Sequence, residues 1–276
     1  FGCTDTTVRA IDARTGEEVL YQSAHDDWAL DTIFSVDGSH LVSVGRDQTA
    51  KLIEFETQRF VDNITSITPG ALKVGLQAVD RHPERDEILV GGADGYPQIY
   101  RMYRETKRVI GDNANLIRIF PNLPGRIFSV AFRPDGKRIV AGSSLDGAGY
   151  VGLYSSDYDS ALSDELKGIL QKVAGSRSAD ERAKVEEYRH KEIEARHQKS
   201  LPAGIYAVAY HPELPEIAVT GADGVIRSLD AENLELQKAF SPVPLSESAA
   251  GSAVALRSEP AFIRLENHFD YNQLLI

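Results

Sequence analysis

The chain is poor in the residues that several kinds of chemistry require. Its 276 residues include one cysteine, Cys3, so no disulfide can form within the chain, and a single thiol does not distinguish the cytosol from the periplasm. No Cys-x-x-Cys-His motif is present to attach a c-type haem, and no glycine-rich phosphate loop is present. The sequence therefore indicates neither a disulfide scaffold nor a c-type cytochrome.

Long apolar runs and clustered positive charge are also missing. No stretch approaches the roughly 20 apolar residues of a membrane-spanning helix. The 30 basic and 41 acidic residues give a net charge of −11. Nucleic-acid phosphates and anionic lipids both require clustered Lys and Arg. We therefore expect no nucleic-acid partner and no membrane insertion, while a hydrophobic content of 42% predicts a globular chain.

The stretch from Phe128 to Tyr154 carries a pattern that recurs along the chain. Apolar residues alternate over 128–132, which is typical of a half-buried strand. Pro-Asp-Gly at 134–136 is a turn, because proline presets φ, aspartate bonds to nearby backbone and glycine accepts positive φ. Short apolar runs at 139–142 and 150–154 predict two further strands.

Similar strand and turn segments recur before and after this stretch. Each ends in an aspartate followed, at a nearly fixed offset, by an apolar residue. The aspartates are Asp5, Asp47, Asp94, Asp146 and Asp223. The apolar residues are Ile11, Ile53, Tyr100, Tyr154 and Leu229. Such repetition at regular spacing is typical of a repeat architecture.

This pattern resembles the WD-repeat family of β-propellers, over roughly residues 2–240 with one insertion. The resemblance implies an all-β, WD40-like propeller, here an incomplete ring of about 4.5 blades, each blade an antiparallel sheet. We expect equivalent, largely buried positions in successive blades for Phe34, Val79, Phe132 and Tyr210. Strands are predicted near 30–34, 41–44, 50–55, 76–80, 88–91, 97–102, 128–132, 138–142, 150–154, 205–210, 216–220, 225–229 and 235–240, with 116–120 as a further outer strand.

The family's closing tryptophan is absent from every copy. In many members it completes a buried network with a histidine, a strand Ser or Thr and the turn aspartate. One copy retains most of that network as His25, Ser43 and Asp47, with Ile53 unable to donate a hydrogen bond. We therefore expect apolar packing to hold the blades together, and the repeat aspartates to cap their own turns.

An insertion at 156–200 interrupts the repeat and contains two helix patterns. The first covers 163–173, and the second begins with a capping box at Ser178 and runs to about Lys199. Because the second helix is mostly charged, we expect a solvated hairpin that stands off the propeller. Two interpretations stay open: a decorative insertion, or a docking arm for a partner.

Three residues of the predicted second helix are expected to share one face. His190, Glu194 and His197 would lie one and two turns apart, as in a metal site. Charged helices bring such residues together by chance and no fourth ligand is evident, so we expect no metal or other cofactor.

Both ends of the chain carry separate expectations. The sequence opens within a repeat, so we expect the first strands of that blade upstream. Residues 241–259, rich in Ser, Pro and Ala, predict a linker, and the alternation at 260–276 predicts the start of an Ig-like domain. A propeller followed by such a segment resembles large multidomain proteins of planctomycete-type bacteria, which also carry a cytochrome-c-like domain. This resemblance implies a periplasmic or cell-envelope location.

No catalytic constellation stands out in the sequence. His82 and His211 each precede a proline at the same repeat position, which favours a role in a turn. We expect a non-catalytic scaffold that binds partner proteins, or other domains of a parent chain, through its propeller faces. The alternative is that the propeller belongs to a redox or hydrolytic enzyme and binds a metal or cofactor near the central channel.

Overall fold

The computed structural model describes residues 1–65, 75–109 and 112–243. Within them, 18 strands and two α-helices alternate with short turns. The predicted Ig-like start and all but the first three residues of the predicted linker lie outside the described residues.

The strands form one two-stranded and four four-stranded sheets. The first sheet contains β1 (Thr7–Ile11) and β2 (Glu18–Ser23). Blade 1 contains β3 (Ala29–Phe34), β4 (His40–Gly45), β5 (Ala50–Glu54) and β6 (Arg59–Asn63). Blade 2 contains β7 (Leu76–Arg81), β8 (Glu87–Gly92), β9 (Gln98–Arg101) and β10 (Leu116–Ile119). Blade 3 contains β11 (Arg126–Phe132), β12 (Arg138–Leu145), β13 (Ala148–Ser155) and β14 (Ala195–Leu201). Blade 4 contains β15 (Ile205–Tyr210), β16 (Glu216–Gly221), β17 (Ile226–Asp230) and β18 (Leu236–Phe240).

Successive sheets pack face to face around their first strands. Strand β7 contacts both β3 and β11, and β11 contacts β15. An apolar cluster fills each space between neighbouring sheets. Every four-stranded sheet is antiparallel and ordered as in the chain. This is an open β-propeller, as the sequence predicts.

All 13 strands predicted in these blades are present, and 116–119 pairs with β9 as the outer strand of blade 2. Strand β6 was not predicted. Its sequence, RFVDN, does not alternate, and three of its five side chains are exposed. An outer edge strand needs backbone pairing more than burial, so its apolar pattern is weak.

The second helix of the insertion is shorter than predicted. Helix α1 covers Asp164–Leu170 and α2 covers Ala179–His190. The prediction that α2 reaches Lys199 is wrong, because residues from Ala195 onward pair with β13. The free edge of β13 offers backbone hydrogen bonds that no neighbouring strand otherwise satisfies. Consequently His190 and His197 do not share a helix face.

The helical hairpin also does not stand off the propeller. Ile169, Leu170, Val185 and Tyr188 are buried and belong to the apolar cluster between blades 2 and 3. The polar surface of α2 faces solvent, while its narrow apolar face packs onto β10. A helix packs with its apolar face toward the protein core even when that face is narrow. In α2 the two buried side chains, Val185 and Tyr188, form this face.

One repeat position was misassigned. Phe34, Phe132 and Tyr210 pair with Leu41, Ile139 and Ile217 across the first two strands of their blades. In blade 2 the residue at that place is Arg81, which pairs with Ile88, whereas Val79 lies two residues earlier on the same face. Alternation gives the face but not the register, so a shift of two residues is invisible in the apolar pattern.

The expected burial also differs among these positions. Phe132 and Val79 are 6% exposed, Tyr210 is half-buried and Phe34 is 40% exposed. Phe132 packs edge-on against His82 of blade 2, with ring centroids 5.2 Å apart. Phe34 faces the first sheet, which has only β1 and β2 among the described residues, so no inner strand covers it.

Candidate functional site

A buried polar network lies inside blade 1. Nε2 of His25 lies 2.8 Å from Oγ of Ser43, and Nδ1 lies 3.0 Å from both carboxylate oxygens of Asp47. The hydroxyl of Thr49 also donates to Asp47, at 2.8 Å. The sequence had placed His25, Ser43 and Asp47 together, and the structure brings all three into contact.

The carboxylate of Asp47 is strongly stabilised in its charged form. Burial by itself would raise its pKa, but the hydrogen bond and charge of His25, with the amide of Asp26 and Thr49, lower that pKa to about 2. Gly45 is needed beside this network, since a Cβ there would lie 2.8 Å from Nδ1 of His25.

Ser43, His25 and Asp47 contact one another in the same order as the residues of a Ser-His-Asp catalytic triad, but no substrate could reach the serine. Ser43 is completely buried and His25 is 4% exposed. A nucleophile must reach its substrate, and oxyanion donors must surround the reacting carbonyl. The network instead ties the connection before β3 to strand β4 and to the turn after it, and Ile53 packs fully buried where the family has tryptophan.

Four of the five repeat aspartates cap their own turns. Each accepts a hydrogen bond from the amide two residues later, at 3.1–3.2 Å, in the manner of an Asx-turn. The aspartates are Asp5, Asp47, Asp94 and Asp223.

Asp146 differs from the other repeat aspartates. With Gly147 it forms a two-residue hairpin turn between Leu145 and Ala148, and both turn residues have positive φ, 50° and 83°. Strands β12 and β13 are longer than their counterparts, so the chain turns later and Asp146 is exposed. The eight-residue offset to Tyr154, instead of six, was the sequence signal for this difference.

The two His-Pro histidines hold turns, as the sequence indicated. Nδ1 of His82 accepts from the amides of Glu84 and Arg85, and Nδ1 of His211 accepts from the next turn in the same way. Burial and the nearby Arg85 lower the pKa of His82. Both histidines therefore act as turn acceptors.

A set of side-chain acceptors that the sequence pattern does not predict connects neighbouring blades. Oδ2 of Asp31 accepts from the amide of Val79 at 2.9 Å. Oγ of Ser129 accepts from Val208 at 3.1 Å, at the same ladder position two blades later. Each first strand is a sheet edge, so its outward amides need partners from the preceding blade.

Asp80 makes a third connection of this kind, two ladder positions further along its strand. Its Oδ2 accepts from the amide of Phe132 at 2.7 Å. Burial raises the pKa of both Asp31 and Asp80, and the amide hydrogen bonds only partly oppose it. The sequence signal for these acceptors is an acidic residue within the otherwise apolar first strand of a blade, where a buried apolar side chain is expected.

Two features relevant to enzymatic and membrane roles are absent from the described residues. Over 1–65, 75–109 and 112–243, no three His, Cys, Asp or Glu side chains converge as metal ligands would. In the same part of the chain, no helix is long and apolar enough to cross a membrane. The expectation that the protein uses no cofactor stays a prediction.

The accessible candidate is the propeller surface where each blade's first strand begins. Backbone hydrogen bonds join the connection before that strand to the turn between the second and third strands, as from Arg46 to Trp28. We call the part of this surface formed by Trp28, Arg46, Tyr96 and Arg126 the loop face. Trp28 is 44% exposed and Tyr96 41% exposed.

Charge and aromatic rings meet on the loop face. The guanidinium carbon of Arg46 lies 4.7 Å from the centroid of the Trp28 ring, and Arg46 is 3.6 Å from the carboxylate of Asp27. Arg46 and Arg126 both line a cavity of about 280 Å³. A cation stacked on an exposed indole is held in place yet leaves its donors free.

A second concave surface lies beside the helical hairpin. A cavity of about 330 Å³ is lined by Arg118, Tyr188 and residues of both helices. Arg118 is completely buried between the rings of Tyr158 and Tyr188, at 4.5 and 4.8 Å, and donates to the carbonyls of Ile117, Asp159 and Lys191. This arginine fastens the insertion to blade 2.

Comparison with known proteins supports a repeat of the expected type. Residues 16–54 and 115–149 match the family model described as "WD domain, G-beta repeat". The chain is 26% identical over 162 residues to a protein named Eukaryotic translation initiation factor 3 subunit I from Culex quinquefasciatus. That alignment covers 57% of this chain and 47% of the relative, so the chain spans about half of the relative's length.

Proposed function

We propose that this chain is a non-catalytic scaffold that binds partner proteins through the loop face. The observation that carries the proposal is an exposed tryptophan stacked on Arg46, which lines a cavity together with Arg126 and Ala93. An exposed tyrosine, Tyr96, lies in the same turn as Ala93. Trp, Tyr and Arg are the residues that most often dominate the binding energy of protein interfaces.

The comparisons support a role within an assembly. WD repeats generally mediate contacts between proteins, and the matched relative is by name a subunit of a larger factor. The triad-like residues of blade 1 support the non-catalytic part of the proposal, because Ser43 is completely buried.

We further propose that the propeller belongs to a larger, multidomain protein of the cell envelope. Support comes from the sequence of residues 260–276, which alternates like the opening strands of an Ig-like domain, and from the insertion between the third and fourth strands of blade 3. The proposal is tested by locating an epitope-tagged parent protein in fractionated cells of the source organism.

The scaffold proposal is tested by cross-linking the purified chain to a lysate of its source and quantifying captured proteins by mass spectrometry. Trp28→Ala and Tyr96→Ala should each remove the same captured proteins. Truncating an interface aromatic costs about 2 kcal/mol or more, which is roughly 30-fold in affinity. Tyr21→Ala is the matched control, since Tyr21 is 51% exposed on β2. Equal capture by all four proteins would refute the loop face as the binding surface.

A further inference from the structure

We infer that the cavity on the loop face receives a carboxylate side chain, an Asp or Glu of the partner protein. This inference rests on the proposed function and adds the chemistry that the surface selects. The cavity has about 280 Å³ and is lined by residues of three consecutive blades: Asp27, Arg46, Gly75, Gln77, Ala93 and Arg126.

Three blades contribute different parts of the wall. Blade 1 provides Arg46 from the turn after β4, blade 2 provides the side-chain amide of Gln77 on β7, and blade 3 provides Arg126 at the start of β11. Gly75 allows the segment before β7 to approach the turn after β4 closely, because a Cβ there would lie 3.0 Å from Cα of Arg46. The donors therefore converge from separate sheets that the propeller holds at fixed spacing.

The two arginines have donors to spare. Arg126 is exposed and has no carboxylate partner in the part of the chain that the structure describes. Arg46 meets Asp27 only at 3.6 Å, and both side chains are substantially exposed, at 51% and 40%. An arginine fork binds a carboxylate through two parallel N–H donors, so each of these side chains can take an incoming oxygen pair.

The charge at this site fits a single carboxylate. Two guanidinium groups and the carboxylate of Asp27 leave one net positive charge in the cavity lining. This local charge stands out in a chain of net charge −11. A side chain with one negative charge balances it, whereas a doubly charged phosphate would not, and a nucleic-acid backbone would meet the acidic remainder of the protein.

The flanking residues indicate apolar neighbours for that acidic residue. Trp28 stacks on Arg46 of the cavity lining, and Tyr96 follows Ala93 of the lining by three residues in the turn after β8; both aromatic side chains are exposed. Phe128 on β11 and Tyr206 on β15 pack edge-on, with ring centroids 5.2 Å apart. The expected partner segment therefore carries one Asp or Glu among apolar or aromatic residues.

The test selects binders from a random peptide library displayed on phage, using the purified full chain. Binding of each selected peptide is then measured by the emission of Trp28, which is the one tryptophan of the chain and stacks on Arg46. Peptides that bind the loop face are identified as those that no longer bind the Tyr96→Ala variant. We expect them to be enriched in Asp or Glu.

A charge exchange provides the decisive comparison. Replacing the acidic residue of a selected peptide by its amide should weaken binding about fivefold, the scale of one accessible ion pair. Arg126→Ala should weaken binding of the acidic peptide by the same factor and leave binding of the amide peptide unchanged. Selection on Arg126→Glu should favour Lys or Arg instead. Arg196→Glu, an exposed arginine on β14, is the matched control and should change nothing.

The outcomes separate this inference from the proposed function. Loop-face peptides without acidic enrichment, or acidic peptides indifferent to Arg126→Ala, would overturn the carboxylate site and leave the scaffold standing. If no selected peptide depends on Tyr96, both the carboxylate site and the loop face as a binding surface are refuted.

Discussion

At the scale of single residues, the buried polar groups of this propeller fall into two kinds. Asp47 is surrounded by donors from His25, Thr49 and the backbone, and its charge is stabilised. Asp31 and Asp80 accept from backbone amides, and no basic side chain lies within salt-bridge distance of either among the described residues. The same side-chain type thus has opposite pKa shifts in adjacent parts of the fold, because one environment supplies donors and the other mainly removes water.

Asp47→Asn should destabilise the protein at neutral pH by about 1–3 kcal/mol, because His25 is left buried with a weaker partner. The pKa of Asp47 is lowered in the folded state, to about 2. The contribution of Asp47 to the free energy of unfolding is therefore present above pH ~4, which is the pKa of an aspartate in the unfolded chain. It is lost as pH falls toward 2. Urea unfolding of parent and variant at pH 7 and pH 3 measures both effects. Asp146→Asn, at an exposed turn, is the control; equal losses for the two variants would contradict the network.

Asp80→Asn should change the stability at pH 7 in the opposite direction to Asp47→Asn. The pKa of Asp80 in the folded state is raised by burial, so the fold favours the neutral carboxyl group. The stability that this neutral form contributes is lost as pH rises through the raised pKa. Asparagine still accepts from the amide of Phe132 but carries no charge. We expect the variant to be at least as stable as the parent at pH 7, with the difference disappearing near pH 4. Thermal unfolding across that range tests this, and a variant less stable at pH 7 than at pH 4, relative to the parent, would contradict it.

At the scale of elements, the insertion is part of the propeller rather than an appendage. Strand β14 completes blade 3, and the hairpin before it seals the space between blades 2 and 3. Deleting the whole insertion would therefore remove a strand as well as two helices. Its interpretation as a docking arm remains a hypothesis, and any such role belongs to the solvent-facing side of α2.

Leu170→Ala should cost about 2–4 kcal/mol, because this side chain at the end of α1 is 3% exposed within the apolar cluster. Val173→Ala is the matched control, since Val173 lies three residues later and is 51% exposed. Its effect should stay within about ±0.5 kcal/mol. The measurement is the free energy of unfolding in urea. Equally small losses for both would show that the hairpin is not seated on the propeller.

At the scale of the whole molecule, the propeller is a row of sheets joined by apolar clusters and by a few side chains that cap the next sheet's edge. Each blade covers the first strand of its neighbour, which explains why Phe132 is buried and Phe34 is not. The same arrangement brings the starts of three first strands to one cavity, so the loop face depends on the packing of blades rather than on any single repeat.

The sequence by itself determined the local parts of this protein. Period-two alternation and Pro-Asp-Gly or Asx turns specify strands and hairpins through interactions within a few residues, so the strands and the turn aspartates were predictable. Edge strands β6 and β14 were not, because they are stabilised by a neighbouring strand and carry little apolar signal.

Only the tertiary structure decided which residues meet between blades. The carboxylates that cap the next blade's amides, and the convergence of Arg46 with Arg126 on one cavity, join residues far apart in the chain. Their positions depend on how one twisted sheet packs on the next, and the local pattern of a repeat contains no record of that packing.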